Sequence, residues 1–494
     1  LLLVDGVPLT DVTAGLAPLA QVPAHIIERN EIVPDGASAP YGTDAVAGVA
    51  NVILRRPFTG AETSVQWGIK PDDQDDWQAS QLLGYKWGTG GILVAGLWSR
   101  SGYLSAAAHP NLYQDDLTPY LGANGALPTF GSVPNISGLL GPGGTGALYA
   151  APTGLTGTGP LTLGALGGAN QPRRQSMWKG ARPIPEITRK TVAFTFEQEI
   201  VPTLRFEAFG AYNWRDAAAT HNSVQLTSTL NVPSGNPYSP CAPGRSQTNT
   251  QGLSCPANGT VAVRYNWFGE FQSTVVRASQ SESYNITGRF DLDLGSWNAK
   301  FGAHASSNEE DAVQSPQLNN TALNRVLTGV GKPTDIPFFN PFCDNSAGPC
   351  NDARTIDYIR GYGRNTQRNG LRDFNLTFSG PLFDLPAGAV RLAVGGQYTS
   401  QILVIQNYNT TTAQIGIEVP TASSSGKRNI KSAFAELYVP LVADGGAGMR
   451  SLEFVAAGRY TDYSDFGDTL NPKVGFTYKP FEGIKLSGTF GTSF

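Results

Sequence analysis

Four cysteines are the clearest candidates for covalent chemistry in the sequence. Cys241 and Cys255 are 14 residues apart, and Cys343 and Cys350 are 7 residues apart. Each pair lies in a long polar stretch, and local cysteine pairs in an exported protein are typical of disulfides. Zinc is the alternative, but neither pair has a histidine nearby to complete a four-ligand site. The spacing therefore predicts two local disulfides, which would stiffen their loops mainly by restricting the unfolded chain.

The other side chains that could do chemistry are dispersed. His25, His109, His221 and His304 show no metal-ligand spacing. The acidic run at 71–76 has the oxygen ligands that calcium prefers, although a solvated charge cluster is the simpler interpretation. The sequence contains no nucleophile elbow, no P-loop and no recognisable Ser, His and acid set. We predict no catalytic residue, no metal site and no cofactor.

The composition limits the elements that can position these residues. The chain of 494 residues has 58 Gly and 34 Pro, only 15% charged residues and 10% aromatics. Helical bundles need long runs without Gly, and disordered chains lack aromatic residues, so both classes are disfavoured. The formal net charge of −4 gives no basic field for nucleic acid.

Strict alternation of apolar and polar residues is the main structural signal. In 284–294 and 204–215 one face is apolar and the other carries charges and amides. Such runs are about ten residues long or longer, which suits strands that cross a membrane at a tilt. The apolar face would contact outer-membrane lipid, and the other face would line a lumen. The predicted lumen-facing charges are Arg205, Glu207, Arg289 and Asp291.

A soluble β-sandwich also alternates, but the links between strands favour a membrane barrel. Tight links at 201–203 and 295–296 alternate with much longer ones. Short turns on one side and long loops on the other, with aromatics near strand ends, are typical of outer-membrane barrels. The predicted long extracellular loops cover about 101–185, 216–273, 309–370 and 406–426.

The fold class predicted for 58–494 is a membrane all-β protein, a large antiparallel transmembrane β-barrel. We count about 13 strands, whereas single-chain bacterial barrels normally have an even number. The chain also opens and stops inside apolar strand patterns. We therefore expect it to be a fragment that holds the N-terminal part of the barrel.

Residues 1–57 differ from the barrel, being small, glycine-rich and mixed in pattern. The pattern predicts a strand, a short helix, a strand, a glycine-rich turn and a final strand. Taken alone, this is a small α+β domain whose glycines serve turns.

This segment resembles the C-terminal part of the plug domain of TonB-dependent outer-membrane receptors. The matching phrases run in order along the chain, beginning with Asp5-Gly6-Val7-Pro8 and ending with Asp44 to Ile53. Phrases near the other end, such as 434–440 and 458–463, resemble the barrel of the same family. The resemblance implies a plugged barrel of about 22 strands. The plug signature residues are Asp5, Gly6, Glu28, Arg29, Glu31, Gly36, Tyr41, Gly42, Asp44, Gly48 and Asn51.

The segment departs from the family pattern at several positions. Asn30 and Pro40 replace residues that are usually apolar, and Pro34-Asp35 replaces a dipeptide that carries a cation. The family often pairs plug Arg and Glu residues with barrel acids. Here Glu28, Arg29 and Glu31 keep part of that set, and the alternative for them is a solvated strand face.

The resemblance implies active transport across the bacterial outer membrane, driven by the inner-membrane TonB complex through a segment outside this chain. The implied ligand is a scarce solute, with a ferric siderophore first and a cobalamin-like compound or a carbohydrate as alternatives. A passive porin or a surface adhesin barrel is the competing function, and a porin has no reason to carry 1–57. A barrel enzyme would need a convergent Ser, His and acid, which the sequence does not show.

Aromatic residues in the predicted long loops are candidates for ligand contacts. Flat rings suit siderophores or sugars, but they equally suit packing of the loops on each other. The candidates that we single out are Tyr238, Trp267 and Phe268.

Overall fold

In the computed structural model, the described residues form three β-sheets and a few short helices. They comprise 2–8, 22–33, 48–70, 74–115, 117, 119, 130–141, 144, 146–155, 159–166, 172–176, 178–220, 227–273, 275–411, 417–446 and 448–492. The predicted signature residues Gly36, Tyr41, Gly42 and Asp44, and also His221, lie outside these ranges. None of the described helices combines the length and hydropathy needed to cross a membrane.

The strands are numbered in chain order. They are β1 (Leu2–Val4), β2 (Val7–Pro8), β3 (Ile27–Val33), β4 (Val49–Leu54), β5 (Gly60–Gly68), β6 (Asp76–Trp87), β7 (Gly90–Ser101), β8 (Asn135–Ser137), β9 (Tyr149–Ala150), β10 (Arg182–Val201), β11 (Leu204–Thr220), β12 (Thr227–Val232), β13 (Val261–Asn266), β14 (Val276–Leu294), β15 (Trp297–Leu318), β16 (Arg360–Leu385), β17 (Gly388–Asn409), β18 (Val419–Val442), β19 (Ser451–Tyr463), β20 (Gly467–Lys479) and β21 (Leu486–Gly491). The helices are α1 (Phe268–Phe271), α2 (Asn320–Thr328) and α3 (Ala353–Ile359), and Ala24–Ile26 and Leu163–Ala165 are 3-10 turns.

Thirteen antiparallel strands form the wall of the barrel. Their order is β21-β20-β19-β18-β17-β16-β15-β14-β11-β10-β7-β6-β5, so each strand pairs with its neighbours along the chain once the strands inside the long loops are set aside. The count of 13 strands and the antiparallel barrel fold are confirmed. Alternation places Tyr212, Ile286 and Phe374 on the exposed outer face, while Phe209 and Ala211 are buried on the inner face.

Several wall strands continue far beyond the lipid-facing segment. Strand β16 has 26 residues, which at about 3.3 Å each spans about 85 Å. A membrane crossing needs only about 9–11 residues. The loops predicted at 309–370 and 406–426 are therefore too long, because the links between the wall strands run only from 319 to 359 and from 410 to 418. Above the membrane both faces of a strand meet water, so the alternation that marks a strand fades there.

The plug sheet has the strand order β2-β1-β4-β3, with β1 parallel to β4. Its apolar face packs directly on the inner face of the wall. The shared core includes Ile26, Val52 and Leu54 from the plug, and Leu93 and Phe209 from the wall. Burying these side chains stabilises the plug inside the barrel by about 1.5–3 kcal/mol for each large residue.

Three of the long loops fold together into one body. We call it the cap, and it consists of the described residues of 130–166, 227–275 and 319–359. Its antiparallel sheet has the order β12-β13-β8-β9, and it joins strands from two different loops. All three loops contribute to a single hydrophobic core, in which Ile136, Trp267 and Phe339 are fully buried.

Helix α2 shows how the sequence builds this cap. The side chain of Asn319 accepts a hydrogen bond from the backbone N–H of Ala322, so it caps the first turn. Leu323, Val326 and Leu327 are buried, which is the i, i+3, i+4 pattern of a helix with one apolar face. Gly329 ends the helix with φ of 82°, a left-handed conformation that glycine adopts without strain.

Both cysteine pairs are joined in the cap, Cys241 to Cys255 and Cys343 to Cys350. We expect Cys241→Ser with Cys255→Ser to lower the free energy of unfolding of the cap by about 3 kcal/mol, since a bridge closing about 14 residues removes that much chain entropy from the unfolded state. The rate of limited proteolysis of the loops measures this change. The Cys343→Ser and Cys350→Ser pair closes half the length, so its entropic loss is about 0.6 kcal/mol smaller. Proteolysis at the wild-type rate in both variants would contradict the expectation.

Candidate functional site

The first signature residues of the plug form a tight turn between β1 and β2. Asp5 and Gly6 both have positive φ, 46° and 82°. The backbone N–H of Gly6 donates to Oδ1 of Asn51 at 2.9 Å, and the N–H of Leu54 donates to Oδ1 of Asp5 at 3.2 Å. Asp5, Gly6 and Asn51 therefore fix the backbone conformation of the turn. In this conformation the carbonyl group of Asp5 points at the wall.

A wall arginine binds this carbonyl group. Nη1 of Arg289 on β14 donates to the Asp5 carbonyl oxygen at 2.8 Å. The same guanidinium contacts the carboxylate of Glu207 on β11 through Nη2. Arg56, which follows the last plug strand, reaches Oε1 of Glu207 at 2.8 Å. We call Asp5, Arg56, Glu207 and Arg289 the plug latch.

The latch is a charge network at the edge of water. The side chain of Glu207 is 13% exposed, that of Arg289 24% and that of Arg56 48%. Burial raises the pKa of the Asp5 carboxyl, although the Leu54 N–H and the charges of Arg56 and Arg289 act in the opposite direction. A cavity of only about 30 Å³ remains between plug and wall here, enough for about one water.

The four predicted lumen-facing charges divide into two groups. Glu207 and Arg289 join the latch. Arg205 lies 3.8 Å from Glu207 but is mostly exposed, and Asp291 pairs with Lys300 at 3.8 Å. Arg205 and Asp291 line a cavity of about 740 Å³ near the short turns. Arg56 was not among the residues predicted from the sequence, because a cation in a linker carries no pattern that marks it.

The charged signature residues of β3 contact each other. Arg29 lies 3.1 Å from Glu28 and 2.7 Å from Glu31, and each of the three side chains is about half exposed. Within the described residues, Arg29 forms no ion pair with a wall acid. Exposed ion pairs of this kind contribute little to stability, because water and salt screen the charges. Their geometry favours the interpretation as a solvated strand face.

The loop aromatics lie in or against the cap core. Trp267 is 0% exposed, stacks against Phe271 and donates from Nε1 to Oγ of Ser228 at 2.7 Å. The burial of the Trp267 ring favours the alternative that it packs the loops on each other. Tyr238 and Phe268 are half-buried and pack against the same core. A loop sequence does not show which aromatics its neighbours will cover.

Glu270 is the buried acid of the cap, next to the Cys343–Cys350 bridge. It accepts from the Tyr265 hydroxyl at 2.6 Å and from Nδ2 of Asn351 at 2.8 Å. Burial, with the neighbouring carboxylate second, raises the pKa of Tyr265 well above its ordinary value, so the hydroxyl stays a donor. The two sulfur atoms beside Glu270 form the disulfide, so this group does not offer thiolates to a metal.

The plug turn provides a local test of the latch. Gly6→Ala forces a side chain into φ of 82°, which costs about 1–2 kcal/mol. Among the described residues no atom lies within 4 Å of the added Cβ, so the expected effect comes from conformational strain. We expect faster protease cleavage of the plug in the purified receptor, with the cap cleaved at the wild-type rate. Gly295→Ala, at a wall turn with φ of 81°, is the matched control and should leave the plug unaffected. Equal plug cleavage in both variants would contradict this role of the turn.

Comparisons with known proteins agree with this architecture. Residues 213–494 match the family described as "TonB dependent receptor-like, beta-barrel", and residues 1–49 match the "TonB-dependent Receptor Plug Domain".

Solved structures share the fold at low sequence identity. FpvA of Pseudomonas aeruginosa, solved with heterologous pyoverdines, is 10% identical, with a TM-score of 0.51, 99% of this chain covered and 49% of that one. The ferric enterobactin receptor of the same species is 14% identical, with a TM-score of 0.51, 99% of this chain covered and 54% of that one. The siderophore receptor PirA of Acinetobacter baumannii is 13% identical, with a TM-score of 0.52, 100% of this chain covered and 53% of that one. The chain spans about half the length of these structures. With its barrel and its plug both matched, the chain belongs to the TonB-dependent receptors of the bacterial outer membrane.

Proposed function

We propose that the protein takes up a scarce solute across the outer membrane when the TonB complex displaces its plug. The observation that carries this proposal is the plug sheet packed on the inner wall and fastened by the latch. A barrel of this family is wide, and its lumen would leak without such a seal. A passive porin gains nothing from a plug, so the plug favours gated transport over the porin and adhesin alternatives.

Energy must reach the plug from elsewhere, because the outer membrane has no ATP. The membership in this family supports TonB as the partner that delivers the energy. The latch suits this use, since its contacts are polar and few and can be broken without unfolding the wall. Charged contacts at partly exposed positions cost only a few kcal/mol to separate.

We propose a ferric siderophore as the first candidate solute. The similar structures are named for pyoverdine, enterobactin and siderophore binding, and their low identity makes this support for a class of ligand only. The transcript level of the gene tests it. Induction by iron starvation is expected, whereas induction by a carbohydrate with no response to iron would assign the receptor to sugar uptake. A response to neither condition would remove the support for both solute classes.

A further inference from the structure

Two arginines face each other on the inner wall, between the plug and the cap. Arg189 on β10 and Arg215 on β11 are direct cross-strand partners. Ala193 and Ala211 on the same strands are buried against the plug. Side chains alternate along a strand without a bulge here, so Arg189 and Arg215 share the inward face, four residues nearer the long loops.

Neither arginine has a counter-ion among the described residues. Nε of Arg189 is buried and makes no hydrogen bond. Like charges directly opposite each other on a sheet are destabilising. Ser281 and Glu310 continue the row of cross-strand partners beyond Arg215, on β14 and β15. Glu310 is the nearest acid in that row among the described residues, and it lies 3.8 Å from Arg277. Within the described part of the chain, the wall therefore places two positive charges side by side with no acid paired to either.

The neighbouring polar side chain adds a third donor. Asn213 lies one inward position from Arg215 and is only 8% exposed. Its Oδ1 accepts from the hydroxyl of Thr191 at 2.7 Å, and its Nδ2 is buried without a partner. The group thus offers N–H donors from two guanidiniums and one amide. Buried donors without acceptors cost free energy unless a ligand binds them.

Open space adjoins Arg189. A cavity of about 860 Å³ lies against β5, β6, β7 and β10, and its lining includes Arg189 and Ser99, the cross-strand partner of Arg189 on β7. One acid, Asp76, also lines this space, and it is paired with Lys70 at 2.7 Å. Gln66 and Gln78 continue the same inward row. A solute that passes the cap on its way to the plug would meet this polar strip.

We propose that Arg189, Arg215 and Asn213 form an oxyanion site that holds a carboxylate or phosphate group of the transported solute above the plug. Guanidinium groups bind either oxyanion through paired N–H donors. The assignment of the anion to the transported solute rests on the proposed uptake function. The anion site itself rests on the donors, the lack of a paired acid among the described residues, and the cavity.

Titration of the purified full-length receptor with citrate and, separately, with inorganic phosphate tests the site. We expect calorimetry to show binding of at least one anion. Arg189→Gln and Arg215→Gln should each weaken it about tenfold to hundredfold, as expected for loss of a charged hydrogen bond. Arg368→Gln is the matched control, because Arg368 lies on the outer face beside Glu309. It should bind like wild type.

Thermal unfolding without added anion separates a binding role from a structural one. Arg215→Gln relieves the repulsion, so its midpoint should equal or exceed that of wild type. Failure of wild type to bind either anion, unchanged affinity in both arginine variants, or a lower midpoint for Arg215→Gln would overturn the site. Uptake that does not depend on TonB, in a receptor that still binds the anion, would overturn the uptake function instead.

Discussion

Glu207→Gln is expected to destabilise the closed position of the plug by about 2–3 kcal/mol. The change keeps the shape of the side chain but removes the negative charge that lies between Arg56 and Arg289. Removing one partner of a buried ion pair costs about 3–5 kcal/mol, and the partial exposure of the two arginines reduces that figure. The plug should therefore open more often, which channel conductance in planar bilayers records directly.

The control for this experiment is Glu62→Gln. Glu62 pairs with Arg55 at 2.7 Å, but its side chain is 51% exposed, so water screens the pair and its loss should leave the plug closed as in wild type. A cycle with Arg289→Gln then measures the coupling across the latch, because the two single effects should not add. Conductance of Glu207→Gln equal to that of wild type would show that the latch does not hold the plug.

Trp267→Ala is expected to have the largest effect on the cap, about 3–5 kcal/mol for removing a fully buried tryptophan. The ring contacts Tyr265 and Phe339 as well as Phe271. Its loss removes a contact shared by segments from two loops, so the cap should unfold while the wall stays intact. Limited proteolysis should then cut the loops, and circular dichroism should retain the strand signal of the wall.

Phe268→Ala is the matched control, since this ring is half-buried and lies 4.8 Å from Nζ of Lys179. Its loops should resist protease nearly as well as those of wild type. If instead Trp267→Ala keeps a protease-resistant cap but loses ligand binding, the buried position described here is incorrect. The two variants thus separate a packing role from a recognition role for adjacent aromatic residues.

The wall of the barrel was predictable because lipid imposes a local rule. Every second residue of a membrane strand meets hydrocarbon, so segments such as 284–294 reveal both the strand and its faces. The short turns at 201–203 and 295–296 were equally visible, and the plug resemblance was carried by residues such as Asp5 and Gly6 whose backbone angles few other residues tolerate.

The cap and the latch depend on contacts between distant parts of the chain. The sheet of the cap pairs β8 with β13, which lie more than 100 residues apart in the sequence. No local pattern within a loop indicates which distant strand it will pair with. Arg289 binds a backbone carbonyl of Asp5, an acceptor that every residue has and that no sequence motif marks. The sequence does not mark the ends of β15 and β16 for a related reason, because their polar extensions lie outside the lipid and show no apolar face.

Uptake of radioactive iron by iron-starved cells shows directly whether the protein is a TonB-driven transporter. Cells that lack their own copy of the receptor would carry the full-length gene, in strains with and without TonB, and would receive a panel of labelled ferric siderophores. We expect receptor-dependent uptake that is abolished when TonB is absent and restored when TonB is returned. Receptor-dependent uptake that continues at the same rate without TonB would contradict it.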